Sequence, residues 1–276
     1  MKLRATQEHS VRARPFLKWA GGKRRLVPEI VRLLPDTINT YWEPFLGGGA
    51  VFFALDSRIR DARLSDVNAA LALTYQTVRN RLEALLGRLQ EHEAAHSDMT
   101  YYYKVREAAT SPYAVEVAAR FIYLNKTCYN GLYRVNKRGR FNVPRGAYKN
   151  PAICDADNLR AASEVLQKAL LWHGDFRTVE PSLGDFIYCD PPYDGAFASY
   201  AAGGFGEPEQ RRLRDAALRW QKLGASVMLS NADTPLIRSL YPEPAFAVYP
   251  VSAPRNINCK GNGRGPAAEL LITAYA

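Results

Sequence analysis

A strand that ends in two prolines most constrains how this chain folds. Residues 186–189 form a short apolar run, which predicts a buried strand, and Asp190-Pro191-Pro192-Tyr193 follows it. Neither proline can donate to a strand ladder and both fix φ, so the strand stops there. A carboxylate, a rigid turn and an aromatic ring are therefore presented together at the carboxyl end of a strand, where ligands bind in open α/β sheets.

These four residues could act on an amine that is conjugated to a heteroaromatic ring. Such an amine is a poor nucleophile because its lone pair is delocalised into the ring. The Asp190 carboxylate and the Pro191 carbonyl could accept both amine hydrogens while Tyr193 stacks on the ring, which is catalysis by positioning and electrostatics. The same residues could also form no more than an Asp-Pro turn after a strand, so other parts of the chain must decide between the two.

A glycine-rich turn between a strand and a helix predicts the first unit of a doubly wound sheet. Residues 40–55 read as a strand, a Phe-Leu-Gly-Gly-Gly turn and a helix. A second strand, 62–65, ends at Asp66, about twenty residues beyond the turn, where an acid can accept from ribose hydroxyls. Glu43, at the end of the first strand, is another candidate carboxylate. The pattern favours a nucleotide-like ligand.

A second glycine turn precedes a helical pattern near the start of the chain. Gly21-Gly22 lets the backbone come close to a ligand, and Lys23 at the helix entrance could meet a carboxylate or a phosphate. The turn is not a P-loop, because Arg24 stands where a Ser or Thr would hold magnesium.

Predicted strands and helices alternate through the rest of the chain, apart from one long stretch that is predicted to be helical. Residues 68–126 read as helices with breaks near Ser97 and Ser111. Beyond them, strand 170–173 is followed by Asp175 and Phe176, which could bind an adenine amine and its ring. Further strands are predicted at residues 226–230, 247–251 and 269–275, and further helices at residues 157–170, 207–223 and 234–240. The fold class is therefore α/β.

One motif in the helical stretch indicates different chemistry. His92 and His96 lie in His-Glu-Ala-Ala-His, which matches the H-E-x-x-H pattern of zinc peptidases. The predicted helix ends directly after His96, and only Glu107 and Glu116 are plausible third ligands. The motif therefore has two interpretations, a zinc metallopeptidase and a polar, solvated helix end.

Charge and cysteine content narrow the class of protein. The 276 residues carry a net charge of +10, which favours a polyanionic partner. No apolar run is long enough to span a membrane, so no membrane partner is expected. The four cysteines are scattered without a Cys-x-x-Cys pair, which is typical of reduced thiols in a cytoplasmic protein without a zinc site.

The positive charge is concentrated in one segment. Residues 126–149 contain seven Lys or Arg and no acid, interleaved with four aromatic residues. This is the pattern of a nucleic-acid surface. Residues 136–139 form a turn between two alternating stretches, which predicts a β-hairpin whose arginines could read guanine in the major groove.

Six motifs in register resemble the Dam-type (class alpha, DpnII-methylase-like) DNA adenine N6-methyltransferases. They are KWAGGK at 18–23, EPFLGGG at 43–49, SDVN at 65–68, YNGLYR at 129–134, FNVP at 141–144 and DPPY at 190–193. The resemblance implies a Rossmann-like S-adenosylmethionine-dependent sheet with an inserted helical and β-hairpin DNA-recognition domain. It implies S-adenosylmethionine as methyl donor, no metal, and a flipped-out adenine as target, with GATC as the expected site.

The resemblance also implies which residues make each part of the site. The catalytic residues are Asp190, Pro191, Pro192 and Tyr193. The donor-binding residues are Trp19, Lys23, Glu43, Phe45, Gly47, Gly49, Asp66, Val67, Asp175, Phe176 and Asp190. The DNA-binding residues, including those of the basic hairpin, are Lys18, Tyr129, Asn130, Leu132, Arg134, Asn136, Arg138, Pro144, Arg145 and Lys149, with Tyr129 wedged into the base stack. The loop after Tyr193, 194–200, is shorter than in the family.

The sequence is predicted to comprise two domains and an N-terminal extension. Residues 15–69 and 165–276 form the catalytic domain, 70–164 the target-recognition domain, and 1–14 a basic extension. The partner is double-stranded DNA in the cytoplasm, on a bacterial or phage nucleoid, and a restriction endonuclease acting on the same site is a candidate further partner. Alternatives left open are methylation of cytosine N4, an RNA base or a glutamine side chain, and a DNA-binding protein without activity.

Overall fold

A computed structural model describes residues 11–195, 204–253 and 267–275. Within these ranges, seven strands form one sheet in the order β3-β2-β1-β4-β5-β7-β6. The strands are β1 (Tyr41–Glu43), β2 (Ala62–Asp66), β3 (Ala169–His173), β4 (Phe186–Cys189), β5 (Ser226–Ala232), β6 (Ala247–Ala253) and β7 (Ala267–Ala274). The pairs among β1–β5 are parallel, and β7 runs antiparallel to both β5 and β6.

The order of the strands creates a crevice at the centre of the sheet. The chain moves outward from β1 through β2 to β3, then returns to place β4 on the other side of β1. Helices after β1 and β4 therefore leave in opposite directions, which opens a ligand-binding crevice at the carboxyl ends of these two strands. Glu43 ends β1, and Asp190 directly follows β4 at the same edge.

Alternate residues of β4 show that both faces of the sheet are covered. Phe186 and Tyr188 pack in a large core cluster that also contains residues of the first seven helices. Ile187 and Cys189 pack in a second cluster, together with Trp220 of the eighth helix. Because strand side chains alternate between faces, the two clusters lie on opposite faces of a doubly wound sheet, as the sequence predicts.

The helices follow the predicted pattern and breaks. They are α1 (Val27–Arg32), α2 (Ala50–Ala54), α3 (Ala69–Asn80), α4 (Leu82–Ala95), α5 (Tyr101–Glu107), α6 (Ala114–Thr127), α7 (Ala156–Leu166), α8 (Glu207–Lys222) and α9 (Pro235–Leu240). The gaps between α4 and α5 and between α5 and α6 fall at the predicted breaks near Ser97 and Ser111. Among the described residues, no helix is both long and apolar enough to cross a membrane.

For the basic segment, the predicted turn is confirmed, but the prediction of two paired strands beside it is wrong. The turn is present, since Asn136 N–H donates to the Arg140 carbonyl at 2.8 Å. The pairing on either side consists of isolated bridges, such as Val135 with Phe141, instead of extended strands. Residues 129–131 form a 3₁₀ turn in which Asn130 has φ 54°, and this turn prevents a regular ladder.

Some predicted features lie outside the described residues. These are most of the basic extension 1–14 and most of the loop 194–200.

Candidate active site and nucleic-acid interface

The Asp190 carboxylate is held between a buried cation and a buried hydroxyl. Its Oδ1 lies 2.9 Å from Lys23 Nζ and accepts a hydrogen bond of 2.8 Å from Ser230 Oγ. Lys23 and Ser230 are buried, whereas 21 % of the Asp190 side chain stays exposed. Burial raises the pKa of Asp190, and both Lys23 and Ser230 oppose that rise by stabilising the anion. The carboxylate is thus an oriented acceptor that a ligand in the crevice can still reach.

The turn after Asp190 is fixed by side chains from three other elements. The Tyr193 hydroxyl donates to Glu269 of β7 at 2.8 Å. The Pro192 carbonyl accepts from Gln210 of α8 at 3.0 Å, and the Asp194 N–H donates to Asn231 of β5 at 3.1 Å. These bonds hold the chain at Pro192, at Tyr193 and at the next residue, Asp194, so the conformation of the turn is defined.

Lys23 contacts three groups at once. Besides Asp190, its ammonium donates to the Gly21 carbonyl and lies 4.6 Å from the centroid of the Tyr193 ring. Gly21 has φ +76°, a backbone conformation that favours glycine, and the sequence places this residue in the turn before Lys23. The structure therefore places Lys23, predicted as a donor-binding residue, directly against the predicted catalytic residues.

The glycine-rich turn after β1 is organised by Asp66. Its two carboxylate oxygens accept from Gly47 N–H at 3.0 Å and from Asn68 N–H at 2.9 Å. Gly47 has φ +48°, and a Cβ there would lie 2.7 Å from Trp19 Cδ1. Gly49 has φ +66° where α2 begins. The sequence thus needs glycine here both for backbone conformation and for the close approach of the Trp19 ring.

Glu43 lies beneath this turn and is bonded within the protein. It is 2 % exposed, and its Oε2 accepts from the Tyr41 hydroxyl at 2.8 Å and from Phe52 N–H at 3.2 Å. Burial raises the pKa of Glu43 to about 8, so the group is mostly protonated at neutral pH. The structure shows Glu43 as a support of the turn.

Apolar and acidic groups line the crevice beside Asp66. Val67 is 48 % exposed, which is unusual for a valine directly after a buried strand. Phe45 stacks on Phe176 with ring centroids 5.5 Å apart. Asp175 accepts from Arg177 N–H at 2.9 Å and forms an ion pair with the Arg177 side chain. The predicted donor-binding residues thus come together from the ends of β1, β2 and β3.

Most of the predicted DNA-contacting residues are exposed, and part of the basic segment packs on Lys18. The exposed ones are Lys18, Tyr129, Asn130, Arg134, Asn136, Arg138, Pro144 and Lys149, and the half-buried ones are Leu132 and Arg145. Lys18 Nζ lies 3.7 Å from the centroid of the Tyr148 ring. Gly131 packs so closely on the Lys18 side chain that a Cβ would lie 2.5 Å from Lys18 Cβ.

Some of these side chains already have partners within the protein. Arg134 Nε donates to Asn142 at 2.8 Å. The Asn136 side-chain oxygen accepts from Arg138 N–H at 2.9 Å, so it is used in closing the turn. The Arg145 guanidinium lies 3.4 Å from the His96 carbonyl.

The two histidines of the H-E-x-x-H motif are engaged with tyrosines. The His92 ring stacks on Tyr123 with centroids 4.8 Å apart, and its Nδ1 is 2.9 Å from the Tyr101 hydroxyl. His96 Nδ1 is 3.1 Å from the Tyr123 hydroxyl. Burial lowers the pKa of His92 to about 4, so the ring stays neutral. In the described part of the chain, no three His, Cys, Asp or Glu residues are grouped to hold a metal ion.

Sequence reasoning missed the residues that support the tetrapeptide. They are Ser230 and Asn231 at the end of β5, Gln210 in α8 and Glu269 in β7. A signal was available only for the first two, since polar residues end an apolar strand at the edge where ligands bind.

The sheet and this site define the class of protein. A seven-stranded, mostly parallel sheet with an antiparallel β7, and a site at its central crevice, form the fold of S-adenosylmethionine-dependent methyltransferases.

Comparisons with known proteins give the family. Residues 19–257 match the model of the D12 class N6 adenine-specific DNA methyltransferases. The type II methyltransferase M1.LlaDCHI of Lactococcus lactis subsp. cremoris is 38 % identical over 98 % of both chains. M.MjaIII of Methanocaldococcus jannaschii is 40 % identical over 95 % of this chain and 99 % of its own. The retron Ec67 DNA adenine methylase of Escherichia coli is 35 % identical over 95 % of this chain and 91 % of its own.

The chain therefore belongs to the D12 class of N6 adenine-specific DNA methyltransferases. This confirms the predicted family and enzyme class, and no observation supports the metallopeptidase alternative.

Proposed function

We propose that this enzyme transfers a methyl group from S-adenosylmethionine to N6 of an adenine flipped out of duplex DNA, with GATC as its site. One observation carries the proposal. Asp190, oriented by Ser230 and Lys23, lies beside the Tyr193 ring at the crevice where the glycine turn and Asp66 meet. The site combines acceptors for an amine with a surface for an aromatic base.

The residues beside Asp66 fit the proposed donor. Asp66 keeps acceptor capacity beyond its bonds to Gly47 and Asn68, because each carboxylate oxygen has two lone pairs. The exposed Val67 side chain offers an apolar surface for an adenine ring. Bound there, the sulfonium donor supplies a methyl group that is already electrophilic.

On the acceptor side, the chain contributes position and charge. Asp190 and the Pro191 carbonyl accept the two amine hydrogens, which turns the lone pair out of the conjugated plane toward the methyl group. Tyr193 stacks on the base, with its hydroxyl fixed by Glu269. Holding two reactants in line can supply several kcal/mol of the acceleration, roughly 7–11 kcal/mol at the upper limit.

The basic segment supports duplex DNA as the substrate. Enzymes that modify a base extrude it from the stack, and Tyr129, 48 % exposed beside Gly131, is proposed to fill the vacated space. Arg134 is proposed to read guanine, since arginine binds O6 and N7 of guanine as a pair. We assign recognition to residues 70–164 and catalysis to 15–69 and 165–276.

The cellular setting is proposed from the relatives and the chemistry. Two of the similar proteins are named type II methyltransferases, which supports a restriction endonuclease acting on the same site as a partner. Bacterial or phage DNA in the cytoplasm is the proposed substrate.

Product analysis tests the proposal. The enzyme is incubated with labelled S-adenosylmethionine and duplexes that differ only in one GATC, together with single-stranded DNA and an RNA duplex of the same sequence. The products are digested and N6-methyladenine and N4-methylcytosine are quantified by mass spectrometry. We expect N6-methyladenine in the GATC duplex alone; N4-methylcytosine, or equal labelling without GATC, would contradict the proposal.

A variant of Arg134 tests the reading of the site. Arg134→Ala should lower discrimination at one base pair by about 1–3 kcal/mol while transfer itself continues. Arg160→Ala in α7 removes another exposed arginine, one that pairs with Glu83, and should leave discrimination unchanged. Unchanged discrimination in Arg134→Ala would remove this residue from the proposed readout.

A further inference from the structure

The Ser230 hydroxyl connects the catalytic carboxylate to a buried tyrosine. Ser230 is fully buried, and its Oγ lies 2.8 Å from Asp190 Oδ1 and 3.1 Å from the Tyr188 hydroxyl. The register of the sheet places it there, because Cys189 of β4 is opposite Leu229 of β5 and the next residues of both strands are Asp190 and Ser230.

The direction of these two hydrogen bonds is fixed by chemistry. An ionised carboxylate can only accept, so the single Ser230 proton goes to Asp190. The Tyr188 hydroxyl must then donate to Ser230. Burial raises the pKa of Tyr188 far above its ordinary value, so this phenol keeps its proton. The result is a one-way relay from Tyr188 through Ser230 to Asp190.

The relay ends on the same carboxylate oxygen that Lys23 contacts. Oδ1 accepts a hydrogen bond from Ser230 and lies 2.9 Å from the Lys23 ammonium. These two contacts use both lone pairs of Oδ1. Oδ2 is then the oxygen with acceptor capacity for the target amine. Ser230 and Lys23 together therefore occupy Oδ1 and leave the lone pairs of Oδ2 available.

We propose that Ser230 is a positioning residue for methyl transfer, which orients Asp190 so that Oδ2 accepts the target amine. The inference rests on the proposed function, in which Asp190 binds that amine. Ser230 itself contacts neither the base nor the donor, and acts on the amine through Asp190; its hydroxyl also interacts with Tyr193, where it opposes the rise in pKa that burial causes.

The electrostatic surroundings predict how the pH profile responds. The charged and titratable groups that interact with Asp190 come from three strands, the turn before α1 and the tetrapeptide: Lys23, Glu43, Tyr188, Cys189, Tyr193 and Glu269. Burial and Glu269 raise the pKa of Asp190, while Lys23 and Ser230 lower it. Removal of the serine hydroxyl should therefore move the acid limb of kcat to higher pH, since the carboxylate then protonates more readily.

Three variants at the relay test the proposal. Ser230→Ala removes the donor to Asp190 and should lower kcat about 10- to 100-fold, the rate equivalent of a hydrogen bond to a charged group. Ser230→Thr keeps a hydroxyl and should restore most of the rate and the acid limb. Tyr188→Phe leaves the serine donor in place and should have a smaller effect than Ser230→Ala. Dissociation constants for duplex DNA and for the donor should be unchanged in all three.

Two further variants separate the possible outcomes. Ser163→Ala removes another buried serine hydroxyl, in α7, and should leave kcat and the pH profile unchanged. If Ser230→Ala has wild-type kcat and acid limb while Asp190→Ala is inactive, the inference about Ser230 is wrong but the proposed function stands. If Asp190→Ala is also active, the proposed function fails. A loss in Ser230→Ala that threonine does not restore, without movement of the acid limb, also contradicts the inference.

Discussion

Replacement of Asn125 by alanine should both destabilise the protein and weaken its binding to DNA. The Asn125 side chain, in α6, is 2 % exposed and bonds to three backbone groups. Its Oδ1 accepts from Lys18 N–H at 2.8 Å, and its Nδ2 donates to the Lys18 carbonyl at 2.7 Å and the Gly131 carbonyl at 3.3 Å. One amide thus joins the two segments that carry proposed DNA contacts.

The size of the effect follows from these three bonds. A buried hydrogen bond contributes a net stabilisation of about 1 kcal/mol, so Asn125→Ala should lower the free energy of unfolding by about 3 kcal/mol. For a chain of this size, that corresponds to a fall in Tm of roughly 6–12 °C. Because Lys18 and Gly131 are no longer fixed relative to each other, affinity for a GATC duplex should fall as well.

Asn158 provides a matched control for this experiment. Its side chain is also buried and also bonds to both backbone groups of one residue, since it accepts from Arg14 N–H at 3.0 Å and donates to the Arg14 carbonyl at 3.1 Å. Asn158→Ala should lower the free energy of unfolding by about 2 kcal/mol and leave DNA affinity unchanged. Calorimetry measures the stability of both variants, and fluorescence anisotropy at one fixed salt concentration measures their binding to DNA.

Two results would refute this reasoning about Asn125. One is a change in the free energy of unfolding below about 0.5 kcal/mol, which is the range of ordinary surface substitutions. The other is a loss of DNA affinity no greater than that of Asn158→Ala, which would show that Asn125 stabilises the fold without positioning the DNA contacts.

Three further substitutions test other parts of the site. Gly47→Ala should weaken donor binding, measured by calorimetry, and destabilise the fold by at least about 1 kcal/mol. The reason is that Gly47 has φ +48° and that a Cβ there would lie 2.7 Å from the Trp19 ring. An unchanged affinity for the donor would contradict this prediction. Because burial raises the pKa of Glu43 to about 8, its contribution to stability falls as pH rises from 4.5 to about 8. The free energy of unfolding of Glu43→Gln, measured in urea, should therefore rise relative to that of the wild type between pH 5 and pH 8, by about 3–4 kcal/mol. A difference in free energy of unfolding between the two proteins that stays constant from pH 5 to pH 8 would contradict this prediction. Tyr193→Phe keeps the ring but loses the bond to Glu269 and should reduce kcat less than Tyr193→Ala does; equal losses would show that the ring is not the important part.

The residues that sequence reasoning found share a local signal. Asp66 and Asp190 each end or follow a short predicted strand, and parallel strands present such residues at one edge of the sheet. Gly47 was recognisable because a strand and a helix flank it. The places of these residues at strand ends and in a turn follow from periodicity and chain order, without knowledge of which strands are neighbours, and the resemblance to the family implies their roles.

The residues that it missed depend on pairings between distant parts of the chain. Ser230 reaches Asp190 only because β5 is the neighbour of β4 in one particular register, and Gln210 reaches Pro192 from a helix 18 residues further on. Asn125 looked like one more polar position in α6. The hairpin was over-predicted because alternation in sequence does not reveal the 3₁₀ turn at Tyr129.

Single-turnover methylation of one GATC duplex by the wild type and by Asp190→Ala tests the central claim most directly. Asp233→Ala serves as control, because Asp233 directly follows β5 and pairs with Arg238 instead of the tetrapeptide. We expect that Asp190→Ala forms no N6-methyladenine yet binds the duplex with nearly wild-type affinity, while Asp233→Ala is fully active. Transfer by Asp190→Ala at a rate near that of the wild type would contradict the claim.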